Sequence, residues 1–184
     1  MSRASPPEKL ETRRLILRKP RSTDAPALFE RFATDVRVTK YLSWTPHRDA
    51  NATRDFVERC IQLWEEAAEY TWYLTVKPSD SPVGALTFWP TKARAELGYA
   101  LAYDCWGQGY MAEAVQPVVD WALDVAGYHR VWATCDVENV GSERVMQKVG
   151  MNREGRLRAW QAAPNIGPES RDSWSYAITK WDRT

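Results

Sequence analysis

Three sets of residues in this sequence have the types and spacing to do chemistry. The first is the glycine turn Trp106-Gly107-Gln108-Gly109, followed at once by Tyr110-Met111-Ala112-Glu113-Ala114-Val115. Glycines let backbone approach an anion, and the unpaired N–H groups of a helix's first turn point at it, so a strand, a glycine turn and a helix start together can hold a phosphate. The turn lacks the Gly-Lys-Ser/Thr ending of a nucleoside-triphosphate loop and the third glycine of a dinucleotide loop. Read without its context, it can equally be a plain turn. The second set is Asn139-x-x-Ser142 before Glu143-Arg144-Val145. Asn and Ser here can cap a helix or present polar groups to a ligand. The third is a single acid, Glu96, sharing one strand face with Gly98, Ala100 and Ala102.

These residues must be positioned by the elements around them. Leu97, Tyr99, Leu101 and Tyr103 alternate with smaller residues, the period of a pleated strand, and lead into the turn. The helix after the turn is expected to run to about Ala126, with Gly127 past its end and Pro117 near its start. Strands are predicted around 14–19, over 72–76, 83–89 and 131–137, and twice more at the end of the chain. Ser22-Thr23-Asp24 reads as a cap before Ala27, Leu28, Phe29 and Phe32. A second helix is predicted after Asp49 or Asn51, through Phe56, Val57, Ile61 and Trp64. Lys77-Pro78-Ser79-Asp80-Ser81-Pro82 is a turn by composition, and Tyr41 to Pro46 is an aromatic loop. This order suits a mixed α+β sheet rather than a doubly wound one.

The turn with WGQGYMAEA, the N-x-x-S-x-R-V one helix and one strand later, and the Lys148-Val149-Gly150-Met151 ending resemble the GNAT acyltransferases. The opening Leu10-Glu11-Thr12-Arg13-Arg14-Leu15-Ile16-Leu17-Arg18 and the ending Arg171-Asp172-Ser173-Trp174-Ser175-Tyr176-Ala177-Ile178 are similar to the RimJ/RimL-type protein N-acetyltransferase branch. The resemblance implies one GNAT domain over 1–184, with an ordered core of about 10–180. It implies a mixed α/β fold: a mostly antiparallel sheet of six to seven strands, splayed at the cofactor wedge and flanked by about four helices. It also implies acetyl-CoA as co-substrate, with no metal.

Carried onto this sequence, the backbone of Leu101, Ala102 and Tyr103 would hold the pantetheine. The N–H groups of Trp106, Gly107, Gln108, Gly109, Tyr110 and Met111 would hold the pyrophosphate. The resemblance places Asn139 at the pantetheine and Ser142 near the sulfur, as donor to the departing thiolate. Asp104 stands where the family commonly has Gln or Arg, and is expected to face solvent or cap the turn. Arg144 and Lys148 either reach adenine-side phosphates or are exposed helix charges. An ammonium cannot attack a thioester, so a base is needed. Glu96 is the candidate, acting directly or through a water, and a carboxylate partly buried there would have a raised pKa. The alternative is a surface residue paired with Arg94. Glu113, in the first turn of the phosphate helix, reads as structural. Cys105 has no evident histidine partner for a covalent route.

Tyr41, Trp44, His47, Trp89 and Trp160 are the candidate acceptor wall, and Pro164-Asn165-Ile166-Gly167-Pro168-Glu169 reads as a mobile or lid-like connection. The acceptor is a protein N-terminus or a small amine. A non-catalytic acyl-CoA-binding sensor is the reading from another class. Lys+Arg 25 against Asp+Glu 24 suggests no dedicated nucleic-acid or membrane surface. No apolar run approaches the ~20 residues of a membrane span, and the N-terminus lacks a signal-peptide core. Three scattered cysteines fit a reducing cytoplasm, with the protein a monomer or homodimer.

Overall fold

The computed structural model describes residues 4–183; Met1 to Arg3 and Thr184, the ends of the expected 1–184 domain, lie outside them. Eight strands form one sheet in the order β1-β2-β3-β4-β5-β6-β8-β7. They are β1 Lys9–Glu11, β2 Leu15–Arg18, β3 Tyr70–Val76, β4 Pro82–Pro90, β5 Arg94–Leu101, β6 Arg130–Asp136, β7 Asn152–Ala162 and β8 Ser170–Thr179. Neighbours are antiparallel except β5 and β6, which run parallel. Eight strands rather than six or seven arise because Lys9–Glu11 pairs on β2, a three-residue edge too short to show a hydrophobic period.

The α-helices are α1 Ala25–Leu28, α2 Val36–Thr39, α3 Ala50–Glu65, α4 Tyr110–Asp120 and α5 Val140–Lys148. The fifth helix beyond the expected four is α2, a single turn whose Asp35 cap accepts the Arg37 N–H. Asp49 caps α3 by accepting the Ala52 N–H, and α3 buries Thr53, Val57, Cys60 and Trp64, the i, i+4, i+7, i+11 stripe of one helix face. In α4, Pro117 sits in the helix interior rather than near its start, and the chain widens into a π-helical turn over Trp121–Val125. Proline has no N–H for the ladder, which is one recognised cause of such irregularity. Gly127 then ends the run at φ 72°.

The two sheet faces do different work. Phe88 packs its ring against Trp121 and Tyr128 at centroid distances of 5.4 and 5.2 Å, and Trp72 lies 6.5 Å from Trp121. Register places Leu86, Leu97 and Tyr99 on this same α4-facing side. Thr71, Tyr73, Ala85, Trp89, Glu96 and Gly98 occupy the other side. There the Tyr73 hydroxyl is buried without a hydrogen-bond partner among the described residues, and burial pushes the Cys60 thiol of α3 up to about 11.

Arg18 and Asp24 form a buried bidentate pair at 2.7 and 2.9 Å, and Arg18 Nε also donates to Asp80 at 2.8 Å. The pair ties β2 to the start of the first helical segment. Arg18→Met would strand a buried carboxylate. It is expected to cost about 3–5 kcal/mol in urea unfolding with an unchanged slope.

Candidate active site

β5 and β6 pair over only three residues, Arg94↔Arg130, Ala95↔Val131 and Glu96↔Trp132. Beyond them β5 stays on β4 as far as Leu101, while β6 stays on β8 as far as Asp136. The two strands therefore part into a wedge. Ala102 N–H donates to Val83 O at 2.7 Å, so Ala102, Ala100 and Gly98 aim their backbone groups at β4. By alternation, Leu97, Tyr99 and Leu101 aim theirs into the wedge.

This assigns the expected pantetheine contacts differently. Ala102 has both backbone groups committed, its carbonyl accepting from Cys105 N–H at 3.0 Å, so it cannot serve an extended ligand. Leu101 O accepts from the Trp106 indole at 2.7 Å, which leaves the Leu101 N–H and the Tyr99 backbone open. Tyr103 is not on the strand: it begins a 3-10 turn, Tyr103–Cys105, and stacks on Trp106 at 5.0 Å.

The glycine turn has the geometry of an anion cradle. Gly107 and Gly109 have φ of 74° and 77°, conformations that side-chain-bearing residues rarely adopt. The first helical bond of α4 runs from Glu113 N–H to Gly109 O. Among the described residues, the N–H groups of residues 107 to 112 have no protein acceptor. Trp106 is a correction, since its amide donates to Tyr103 O and its indole to Leu101 O; it braces the turn. The Gln108 side chain also braces, donating to Asp104 O at 2.9 Å. Ala112 joins the open amides, one helical position further than the sequence reading reached. Asp104 turns outward to Arg31 at 2.6 Å, as expected.

Glu113 is structural, and it places a cation that the sequence reading missed. Its carboxylate accepts from Thr12 Oγ1 at 2.6 Å, Arg14 N–H at 2.9 Å and Arg14 Nε at 2.7 Å. The Arg14 guanidinium lies 4.5 Å over the Tyr110 ring, and its Nη2 lies 3.7 Å from where a Cβ on Gly109 would stand. No local pattern marks Arg14, because its partner is 99 residues away. Partial burial works against the Glu113 charge, but bonds from Thr12 and Arg14 outweigh it and hold the carboxyl below its ordinary value.

Asn139 and Ser142 begin α5 at the far side of the wedge. Asn139 Oδ1 caps the helix by accepting Ser142 N–H at 3.1 Å, which leaves its amide NH2 without a protein partner among the described residues. Ser142 Oγ lies 3.0 Å from the Tyr99 hydroxyl. The Cys135 thiol contacts Ser142 as well, and burial pushes it up to about 12. Arg144 and Lys148 are exposed helix charges, without an ion pair or side-chain hydrogen bond among the described residues.

Glu96 sits on the opposite face. Its register neighbours are Trp89 on β4 and Trp132 on β6, so the carboxyl is flanked by two tryptophans. It has no ion pair or hydrogen bond among the described residues, Arg94 included, and burial raises its pKa. The Trp89 ring lies across Gly98, where a Cβ would come within 2.6 Å of it, and its indole N–H donates to Glu69.

Of the other acceptor-wall residues, His47 is held inside a stack with Trp44 at 5.1 Å and Phe56 at 5.6 Å. Its Nδ1 meets Thr53 Oγ1 at 2.8 Å, anchoring the loop to α3, and burial lowers its pKa. Asn165 donates to Thr39 O and Trp44 O at 2.7 and 2.8 Å, and Gln161 donates to Tyr41 O at 3.3 Å. The 164–169 connection is therefore pinned to the aromatic loop rather than a free lid. Trp160 is half exposed on a bulged stretch of β7. Cys105 gains no activation: burial and neighbouring Asp104 both push its thiol up.

Residues 14–152 match the Acetyltransferase (GNAT) domain model. The chain belongs to the GNAT acetyltransferase family. It is 33% identical over 159 residues to the uncharacterized N-acetyltransferase p20 of Bacillus licheniformis, covering 85% of this chain and 89% of that protein. A GNAT-family acetyltransferase structure from Bacillus anthracis superposes with a TM-score of 0.82 at 27% identity, over 94% of this chain and 99% of that one. Mycobacterium smegmatis RimJ, solved in complex with CoA-disulfide, superposes with a TM-score of 0.84 at 22% identity, over 97% and 90% of the two chains, a likeness of fold. No helix among the described residues of this GNAT protein is long and apolar enough to cross a membrane.

The Glu113 carboxyl is depressed in the folded state, so its contribution to stability is present above the unfolded-state pKa and is lost as pH falls through the folded one. Glu113→Gln is expected to flatten the fall in thermal midpoint from about pH 4.5 downward. A matching titration of wild type and variant checks this.

Proposed function

We propose that this GNAT protein transfers an acetyl group from acetyl-CoA directly to a primary amine, and that the wedge between β5 and β6 is where the donor lies. The parting of these strands beside the open-amide turn carries the reading. A pantetheine arm has amides of its own. Laid along β5, it would pair with Tyr99 and Leu101 as an added strand. The pyrophosphate would meet the N–H groups of residues 107 to 112 at the α4 N-terminus, with Arg14 alongside. Hydrogen bonds to charged groups are worth about 1.5–3 kcal/mol each. Several of them anchor a donor without a lysine.

Glu96 is the base in this reading. Two flanking tryptophans desolvate it, and a carboxylate with a raised pKa accepts a proton from an ammonium, directly or through a water, better than an exposed one. Ser142 hydrogen-bonds the departing thiolate, which needs no stronger acid near neutral pH. Positioning of amine and thioester supplies the larger share, up to roughly 7–11 kcal/mol. One continuous sheet and core support reading the described chain as a single acetyltransferase domain.

The acceptor follows from the wall around Glu96: Trp89, Trp132, Glu69 and the pinned Tyr41–His47 loop. An aromatic wall with two carboxylates favours a cationic amine, either a protein α-amino group or a small alkylamine. Solved relatives by fold include a RimL that is a ribosomal L7/L12 α-N-protein acetyltransferase and the microcin C7 self-immunity acetyltransferase MccE. A protein N-terminus is our first choice, in line with the RimJ/RimL-like opening and ending of the chain. A peptide panel set against small amines separates the two.

Acetyl-CoA at about 100 times its dissociation constant is expected to add about 2.7 kcal/mol of stability, with ATP and NAD giving none. A thermal scan without that rise defeats the wedge assignment. Glu96→Gln is expected to lower kcat about 10²-fold or more while acetyl-CoA affinity holds. The acid limb of the wild-type kcat/KM profile should lie above pH 4.5, the ordinary carboxylate value, because only the deprotonated form works. That limb should disappear in Glu96→Gln. Stopped-flow turnover across pH 5–9 reads both effects, and a variant with wild-type kcat removes Glu96 from the chemistry.

A further inference from the structure

We infer that Tyr99 is a positioning residue for the leaving-group step: it holds the Ser142 hydroxyl so that its proton points at the departing sulfur. This rests on the reading of Ser142 given above and adds to it a side chain, the Tyr99 phenol, with no other assigned role. Tyr99 sits on β5, inside the stretch where the strand has left β6. Its phenol reaches across to the first turn of α5 on the other side. There it stands 3.0 Å from Ser142 Oγ and 3.2 Å from Ser142 O.

Proton counting decides what such a contact can do. A phenol has one proton to give and a serine hydroxyl has one. If Tyr99 donates to the Ser142 carbonyl, the serine proton is free to turn back to the phenol oxygen and is lost to the thiolate. If Tyr99 donates to Ser142 Oγ, the serine proton must point elsewhere, and the sulfur is available. The shorter distance, 3.0 against 3.2 Å, favours donation to Oγ, and the carbonyl, which keeps a second lone pair, already takes the i+4 N–H of the helix because residue 142 lies inside α5. Oγ has none of this kind. Negative charge on sulfur draws the serine proton outward, and the Tyr99 donation to Oγ strengthens that bond, because hydrogen bonds in a chain polarise one another.

The bonds balance without Tyr99 losing its proton. The amine nitrogen forms the new bond to the acetyl carbon and gives its proton to Glu96 or a water. The carbon–sulfur bond breaks with its electron pair on sulfur. Ser142 keeps its proton and shares it with the thiolate as a hydrogen bond. Tyr99 likewise keeps its own: burial pushes the phenol further from ionisation, so the buried group acts as a fixed dipole and not as an acid.

The test is a double-mutant cycle of Tyr99→Phe and Ser142→Ala, with kcat, KM, acetyl-CoA dissociation constant and thermal midpoint measured for all four proteins. Tyr99→Phe removes one oxygen atom and keeps the ring. It is expected to lower kcat about tenfold, the worth of one hydrogen bond near a charge, with acetyl-CoA affinity within about twofold. Ser142→Ala is expected to lose about 10²-fold. The double variant should match Ser142→Ala within about twofold, because Tyr99 acts only through that hydroxyl. An unaltered kcat in Tyr99→Phe overturns the inference while leaving Ser142 standing. So does a loss that persists in full in the Ser142→Ala background, which marks Tyr99 as packing alone. A fully active Ser142→Ala overturns both readings at once.

Discussion

The molecule depends on one break in its hydrogen bonding: after Glu96 and Trp132, β5 and β6 stop pairing in the middle of an eight-stranded sheet. An open edge inside a sheet is costly, because each N–H and C=O turned toward it has lost a partner. The fold holds both sides in place. β5 remains on β4 down to the Ala102 to Val83 bond, and Trp106 occupies the Leu101 carbonyl at the mouth. β6 remains on β8, where buried Asp136 pairs with Arg171 and accepts the Glu138 N–H ahead of α5. What is left is a slot lined by ordered backbone. A ligand with amides at strand spacing satisfies it better than any side chain of the protein does. The proposed binding site is therefore a property of topology before it is a property of particular residues.

Strand alternation then divides the chemistry. Odd residues of β5 face α4 and α5, and even residues face α1 and α3. Tyr99 and Glu96 therefore lie on opposite faces of β5 although three residues separate them, and in the proposed reaction they would act from opposite sides of the slot. A proton acceptor is wanted where the amine arrives, and a hydrogen-bond donor is wanted where the thiolate leaves. The two tasks call for opposite environments. Burial, on a strand face it shares with its register neighbours Trp89 and Trp132, raises the Glu96 pKa, whereas Ser142 sits at a helix start, where N–H dipoles favour negative charge on a neighbour. A one-residue slip in β5 would exchange the faces of Glu96 and Tyr99; the register is fixed by Leu97 and Leu101 in the core and by Tyr99 packed against it.

Much of this arrangement was legible in the sequence wherever the signal is local. The glycine turn, the α5 cap and the outward Asp104 each depend on a few adjacent residues, and they lie where the sequence placed them. Periodicity located the main strands and α3. What escaped is non-local. Nothing near Arg14 announces that Glu113 will hold it against Gly109. Tyr99 reads as one more apolar strand residue, because its hydroxyl finds Ser142 only after a helix and a strand have been folded between them. Trp132 becomes a neighbour of Glu96 only through the parallel pairing. Ala102 and Trp106 were given to the cofactor because they lie in the right segment. Which way each amide points is set by the bond to Val83 and the 3-10 turn, and neither has a signature in residue type.

The same non-local packing resolves an electrostatic conflict at the turn. A carboxylate in the first turn of α4 would repel the phosphates that the open amides invite. Glu113 avoids this because three donors from Thr12 and Arg14, in the segment just before β2, hold both its oxygens. The pair it makes with Arg14 is neutral as a unit, yet it is not symmetric: the carboxylate is consumed by Thr12 and Arg14, while the guanidinium keeps its Nη edge toward Gly109. The helix end thus presents amides and a cation and conceals its one acid. Removing the acid favours an anion at the helix end, but it also releases Arg14 from the ion pair that, together with the Tyr110 ring, holds it in place. The attraction at this turn therefore depends on a negative charge placed behind it, held there by the link between β1 and β2, about a hundred residues earlier in the chain.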